Sequence, residues 1–360
     1  MKLFARRFPG EIPHVPFLSP WWGLPFEDAN SLHRGQFDAW AADRSHPYSL
    51  VDRPEDADVC VLAVSWKYTR GNEQVRAFAQ NEIDQAQRLG KKIILFFDSD
   101  HDEPMNWPAH AIVFRFSLYS DTRQPNEFAI PTFSQDFLEK NFNGQLRLRP
   151  KTDVPSVGFC GYAPPLGCRM SRRTLREVAR YLGFRAGLFK RRREFIAHAA
   201  RVQAIRHLRR TPGVDGRFIL RDQFAFNRWG VLQPGGSPES AAQQRREFIE
   251  NLDTCDYALS VRGLANCSIR FYEAISLGRI PLFINTQCVL PYDQWVDWQA
   301  ACLWVEEADL PVLGQRVLEA HAALTPEAFA EKQKLCRALF EKWIRPEGFF
   351  RELWRHCVTT

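Results

Sequence analysis

The run Tyr257 to Asn285, YALSVRGLANCSIRFYEAISLGRIPLFIN, constrains this chain more than any other stretch. Tyr257 to Val261 is a compact apolar run, short enough for a strand buried in a parallel sheet. Arg262 to Cys267 has no periodicity and holds Gly263 and Asn266, which makes it a loop. Ser268 is a good N-cap for a helix from Ile269 to about Leu277, and Gly278 is a natural stop before the apolar strand Ile280 to Ile284. A strand feeding a helix N-terminus aims free N–H groups and a positive dipole end at whatever binds there, and this suits a phosphate. Arg262 and Arg270 add bidentate cationic donors for a pyrophosphate. Glu273, one turn further on, could accept hydrogen bonds from the vicinal hydroxyls of a ribose. The same three-residue spacing of Arg270 and Glu273 also fits a plain intrahelical ion pair.

The ordered set Ser260-Val-Arg-Gly263, Ser268-x-Arg270-x-x-Glu273-Ala, Gly278-x-Ile-Pro281, Leu290-Pro-Tyr292 and Asp297-Trp298 resembles the signature of the exostosin-like glycosyltransferases. It departs from that family's pattern with Val261 for proline, Arg279 for cysteine and Tyr292 for phenylalanine, none of them at an expected phosphate or ribose ligand. A second likeness lies far upstream, where Pro54-Glu-Asp-Ala-Asp58 precedes the hydrophobic run Val59 to Val64. The resemblance covers Arg169 to Pro234 poorly.

The resemblance implies an inverting glycosyltransferase that moves a sugar from a nucleotide diphosphate to a glycan or lipid-linked glycan acceptor, as in surface polysaccharide synthesis. It implies a GT-B-like α/β fold: two Rossmann-like domains face a cleft, and a C-terminal helix crosses back to the first domain. The expected division is an acceptor-side domain over residues 1–152, a nucleotide-sugar domain over 153–335, and terminal helices over 336–360. Donor-binding residues carried over or placed beside the signature are Arg262, Gly263, Ser268, Arg270, Glu273 and Arg228, with Arg221 a further phosphate candidate. No cofactor and no metal are expected, and a UDP-sugar ranks ahead of a GDP-sugar as donor.

Strand and helix alternate through the first half. Val59 to Val64, Lys92 to Phe97, Ile112 to Ser117 and Glu127 to Ile130 read as strands, with a helical pattern over Asn72 to Leu89. Residues 1 to about 50, rich in proline and tryptophan, read as loops with short helices. Val157 to Tyr162 opens a second α/β unit. Glu127 to Ile130 ends the first unit's strands, while Asp98-Ser-Asp-His101 ends the second of them. Open sheets bind ligands at the carboxyl ends of their strands, so Asp98, Asp100 and His101 are the candidates for the base that takes the acceptor's proton. Two competing readings apply there. The carboxylates could only shape a turn, or Asp98-x-Asp100 could serve as the Asp-x-Asp of a metal-dependent GT-A enzyme.

Hydrophobic residues make up 45% of the chain and charged ones 25%, a globular profile. Nine cysteines without a Cys-x-x-Cys pair point to reduced thiols. With no apolar run of membrane-spanning length and no apolar segment after the first charged residues, the expected location is cytoplasmic, facing the inner membrane surface. The net charge of +6 is unevenly placed, because Arg169 to Arg210 is strongly basic and contains Lys190 to Arg193. Three readings compete for that region: a solvated helical face, a peripheral surface for anionic lipid or a lipid-pyrophosphate acceptor, and a nucleic-acid patch. Sparse aromatics and the lack of a nucleic-acid motif disfavour the last, so no nucleic-acid partner is expected. The rival to the enzyme is a non-catalytic protein that binds sugar nucleotides or polyanions.

Overall fold

The computed structural model describes residues 1–27, 31, 33–163, 175, 179, 182–183, 186–188, 197–221 and 237–359. Among these, the strands form two parallel sheets. The first contains β1 (Lys2–Phe4), β2 (Ser49–Leu50), β3 (Val59–Val61), β4 (Lys92–Phe97), β5 (Ala111–Arg115) and β6 (Glu127–Ala129), in the order β2-β1-β3-β4-β5-β6. The second contains β7 (Ser156–Tyr162), β8 (Asp215–Arg221), β9 (Tyr257–Ser260), β10 (Ile280–Asn285) and β11 (Leu303–Glu306), in the order β11-β10-β9-β7-β8. Every pairing within them is parallel.

Both orders are doubly wound. Each sheet grows outward from its first strand in two directions, so each has a switch point: between β1 and β3 in one, between β7 and β9 in the other. A crevice opens at such a point outside the strands' carboxyl ends. This is the two-Rossmann, GT-B-like fold class that the sequence leads one to expect.

The N-terminal segment departs from the sequence reading. Lys2–Phe4 is an interior strand, paired with both β2 and β3. Three residues between Met1 and a basic stretch carry no periodicity, so tertiary pairing overrides the local signal. Asp58 holds the register, since its Oδ2 accepts the Lys2 N–H at 2.7 Å and its own N–H donates to the Lys2 carbonyl at 2.8 Å.

The helix Glu73–Arg88 covers one face of the first sheet. Asn72 caps it by accepting the Val75 N–H at 3.1 Å, and Val75, Ala79, Ile83 and Ala86 supply its buried stripe. The other face is covered from the far end of the chain. Phe349 and Phe350, on the helix Pro346–Glu352, pack on Phe17, Trp40, Phe96, Phe114 and Phe133. Tyr48 Oη donates to the Phe350 carbonyl at 2.8 Å and accepts the Trp354 N–H at 2.9 Å. The C-terminal helices therefore cross back to the first sheet and tie the two halves together. Among the described residues no helix is long and apolar enough to cross a membrane.

Candidate active site

The signature folds as its pattern suggests at the backbone. β9 ends at Ser260, the loop runs to Ser268, and the helix Ile269–Ser276 leads through Gly278 (φ 65°) into β10. Any side chain at 278 would also collide with Leu146, whose Cδ1 would lie 2.5 Å from a Cβ. Ser268 has the extended backbone of an N-cap, but its side chain accepts no helix N–H. Gly263 sits in the open: nothing lies within 4 Å of where its Cβ would be.

The two signature arginines and the glutamate are all buried, Arg262 to 2%, Arg270 to 8% and Glu273 to 4% exposure. Their uses differ. Arg262 folds back on its own loop and across to the first domain. It donates to the carbonyls of Gly263 (3.4 Å) and Leu264 (2.9 Å) and, through a short hydrogen bond, to Tyr119 Oη. Tyr119 in turn donates to Asp102 Oδ2 at 3.0 Å. Arg262 thus clasps the loop to the strand-end segment of the opposite domain. Asn266 does the same work: its N–H donates to Ser117 Oγ at 2.9 Å and its Nδ2 to the Leu118 carbonyl at 3.1 Å.

The Arg270 guanidinium lies over Phe159, 4.1 Å from the ring centroid, and donates to the Cys160 carbonyl at 2.7 Å. Gly161 makes room for it, because a Cβ there would fall 2.7 Å from Arg270 Nη2. Glu273 does not form the intrahelical pair that spacing allowed. Its Oε1 instead faces Arg245 Nη1 at 3.4 Å, and Arg245 belongs to the helix Pro238–Thr254. Burial pushes the Glu273 carboxyl above the usual carboxylate range even with Arg245 and Arg270 beside it. Burial also lowers both arginines. Arg228 lies outside the described residues, as do Lys190 to Arg193. Arg221, at the end of β8, is engaged by Glu247.

Across the gap, the first sheet's strand ends form a cleft of about 930 Å³. Its walls include Asp98, Asp100 and His101 after β4, Thr132 after β6, His33 from the N-terminal segment, and Leu264 and Ile269 from the signature. The three sequence-derived base candidates therefore share a cleft with the signature loop and helix. Within the trio the structure separates roles. Asp98 is bound by Ser65 Oγ and the Lys67 ammonium, both through short hydrogen bonds. Asp100 and His101 are exposed to the cleft, and Asp100 lies close enough to Cys267 of the signature loop to raise that buried thiol further.

What positions this segment was missed in the sequence. Arg115, the last residue of β5, donates from Nη2 to the carbonyls of His101 (3.1 Å) and Glu103 (3.0 Å). Its Nη1 pairs with Glu127 Oε1 at 2.7 Å, with both side chains at 3% exposure or less. A charge closing an otherwise apolar strand, AIVFR, was the available signal, since a buried cation needs a partner.

His33 was also missed. Burial and the nearby cations Arg245 and Lys140 lower its pKa to about 4. An unfolded histidine titrates near 6.5, so between those values the unfolded chain binds the extra proton. This stabilising contribution is complete above pH 6.5 and is lost as pH falls towards 4. Relative to wild type, His33→Gln is expected to lose about 2 kcal/mol less stability between pH 7 and pH 5, read from urea midpoints at the two pH values.

No family model matches the chain. Exostosin-1 of Drosophila melanogaster is 32% identical over 80 residues, covering 22% of this chain and 10% of that protein. A probable glucuronosyltransferase 47 A of Physcomitrium patens is 24% identical over 163 residues, covering 37% and 35%. A probable beta-1,4-xylosyltransferase IRX10L of Arabidopsis thaliana is 30% identical over 88 residues, covering 24% and 20%. The chain thus spans from a tenth to about a third of the length of these relatives. A solved glycosyltransferase from Rickettsia africae aligns over 85% of the chain at 12% identity and a TM-score of 0.32, too distant to carry an argument. Over these segments the chain is similar to exostosin and exostosin-like glycosyltransferases.

Proposed function

We propose that the chain is an inverting glycosyltransferase that takes a nucleotide diphosphate sugar, a UDP-sugar ahead of a GDP-sugar, and transfers the sugar to a glycan or lipid-linked acceptor. The observation that carries the reading is the shared cleft. Leu264 and Ile269 of the signature line it together with Asp98, Asp100 and His101, while Arg270 and Glu273 lie behind that lining. Inversion by a single displacement needs the leaving group and the incoming hydroxyl on opposite faces of the anomeric carbon. Donor groups on one domain and a base on the other would supply that geometry. Arg270, the open loop at Gly263 and the start of the Ile269–Ser276 helix would meet the charge growing on the diphosphate, and Glu273 would receive the ribose hydroxyls. Cationic side chains suffice for this task without calling on a metal. Arg262 would act indirectly, by fixing the loop.

For the base, Asp100 and His101 are favoured over Asp98 because both are exposed to the cleft while Asp98 is partly covered. The eight cysteines among the described residues are all unpaired, which supports a reducing, cytoplasmic setting. Peripheral membrane contact through Arg169 to Arg210 rests on charge alone.

The test is release of free nucleotide from a panel of UDP- and GDP-sugars in the presence of surface-glycan acceptors. Whichever of Asp100→Asn and His101→Gln removes the base should cut turnover by about 10²- to 10⁴-fold and leave nucleotide affinity near wild type. Failure of the wild-type chain to release nucleotide from any sugar in the panel would refute the enzyme and favour a binding protein.

A further inference from the structure

Two guanidinium groups, Arg245 and Arg270, face the Glu273 carboxylate, and a third, Arg201, lies beside Arg270. Arg245 is 3.4 Å from the carboxylate, Arg270 lies within electrostatic range of it, and Arg201 is repelled by Arg270. Arg201 stands on the helix Ala197–Arg210, and its Nη1 and Nη2 donate to the carbonyls of Tyr162 (2.8 Å) and Arg262 (3.0 Å). Tyr162 closes β7 and Arg262 follows β9 by two residues, at the switch point of the second sheet.

Each arginine keeps one sealed N–H with no acceptor: Nε of Arg201, Nη2 of Arg245 and Nε of Arg270. Among the described residues no carboxylate other than Glu273 pairs with any of the three. Arginine does not relieve such crowding by losing its proton. An excess of buried, incompletely bonded cations is costly unless an anion joins them. Strand-end carbonyls account for some donors of Arg201 and Arg270, but not for the surplus charge or the sealed N–H groups.

We propose that Arg201 and Arg245, which lie outside the signature, complete with Arg270 a preformed cradle for the donor's diphosphate, and that Arg245 exchanges Glu273 for a phosphate oxygen when the donor binds. The exchange frees the Glu273 carboxylate for the ribose hydroxyls, so one side chain couples recognition of both parts of the nucleotide. The cradle rests on the transferase reading above.

The experiment is thermal melting of wild type, Arg245→Gln and Arg245→Lys, each alone and with UDP, GDP or phosphate-free uridine. For wild type, UDP or GDP should raise the melting point by several degrees and uridine should not. Arg245→Gln relieves repulsion, so it should melt at or above wild type without ligand while losing affinity for the nucleotide about tenfold or more. Arg245→Lys keeps the charge and should restore most of the shift. A purely structural Arg245 gives the opposite pattern: a lower melting point without ligand and an undiminished nucleotide shift in Arg245→Gln, which overturns the cradle and leaves the transferase standing. If neither nucleotide shifts wild type and no sugar nucleotide is turned over, both readings fall together.

Discussion

Glu127→Ala is expected to destabilise the protein by about 3–5 kcal/mol, the scale for breaking a buried ion pair from one side. The reason is local. Glu127 Oε1 accepts from Arg115 at 2.7 Å and from Trp107 Nε1 at 2.7 Å, and its Oε2 accepts the Gln124 N–H at 3.0 Å. Removing the carboxylate strands the Arg115 guanidinium in a site where its own exposure is 3%. The same guanidinium holds the His101 and Glu103 carbonyls, so the segment carrying the base candidates should shift as well. Urea unfolding reads the first effect and turnover the second. Glu127→Gln keeps the shape and an acceptor, and should fall between wild type and alanine on both. A loss below about 1 kcal/mol for the alanine variant would mean the pair contributes little to either.

Arg270→Ala and Glu273→Ala should each weaken nucleotide binding by about 1.5–3 kcal/mol, the range for hydrogen bonds to charged groups, or roughly 10- to 150-fold in Kd. Their effects on stability should differ. Arg270→Ala removes one of several crowded cations, although it also leaves the Cys160 carbonyl without its donor. Glu273→Ala removes the carboxylate that faces Arg245 and Arg270, so the free protein should lose more stability than with Arg270→Ala. Glu273→Gln separates the two roles, because it retains an acceptor for a ribose hydroxyl but not the charge. Calorimetric titration of UDP and GDP gives the affinities, and urea midpoints give the stabilities. Wild-type affinity in both alanine variants would remove the signature helix from the donor site.

Much of this was legible before the fold was known. The period of the apolar runs announced most of the parallel strands, and Gly278 and Asn72 announced helix boundaries, because those signals are local. The position of Asp98, Asp100 and His101 at a strand end, lining one cleft with Leu264 and Ile269, followed from the order of the apolar runs. Local signals could not reveal β1, whose three residues gain their conformation from β2 and β3. Nor could they reveal which donors of a buried arginine are already engaged. Arg262 reads in the sequence as a phosphate ligand, yet its guanidinium is directed to Tyr119 and to its own loop. Arg245 lies in an ordinary amphipathic helix and reaches Glu273 only because that helix packs beside the signature. Side-chain direction and long-range pairing are tertiary properties, and a single sequence carries no record of them.

The central claim is that a nucleotide diphosphate docks on the signature of the second domain and faces the strand end of the first. A crystal structure of the chain with UDP or GDP bound tests it most directly. The account predicts the diphosphate within hydrogen-bond distance of Arg270, the ribose against Glu273, and the β-phosphate opening towards Asp100 and His101 across the cleft. A nucleotide seated elsewhere, with the Arg245–Glu273 pair unbroken, would contradict it.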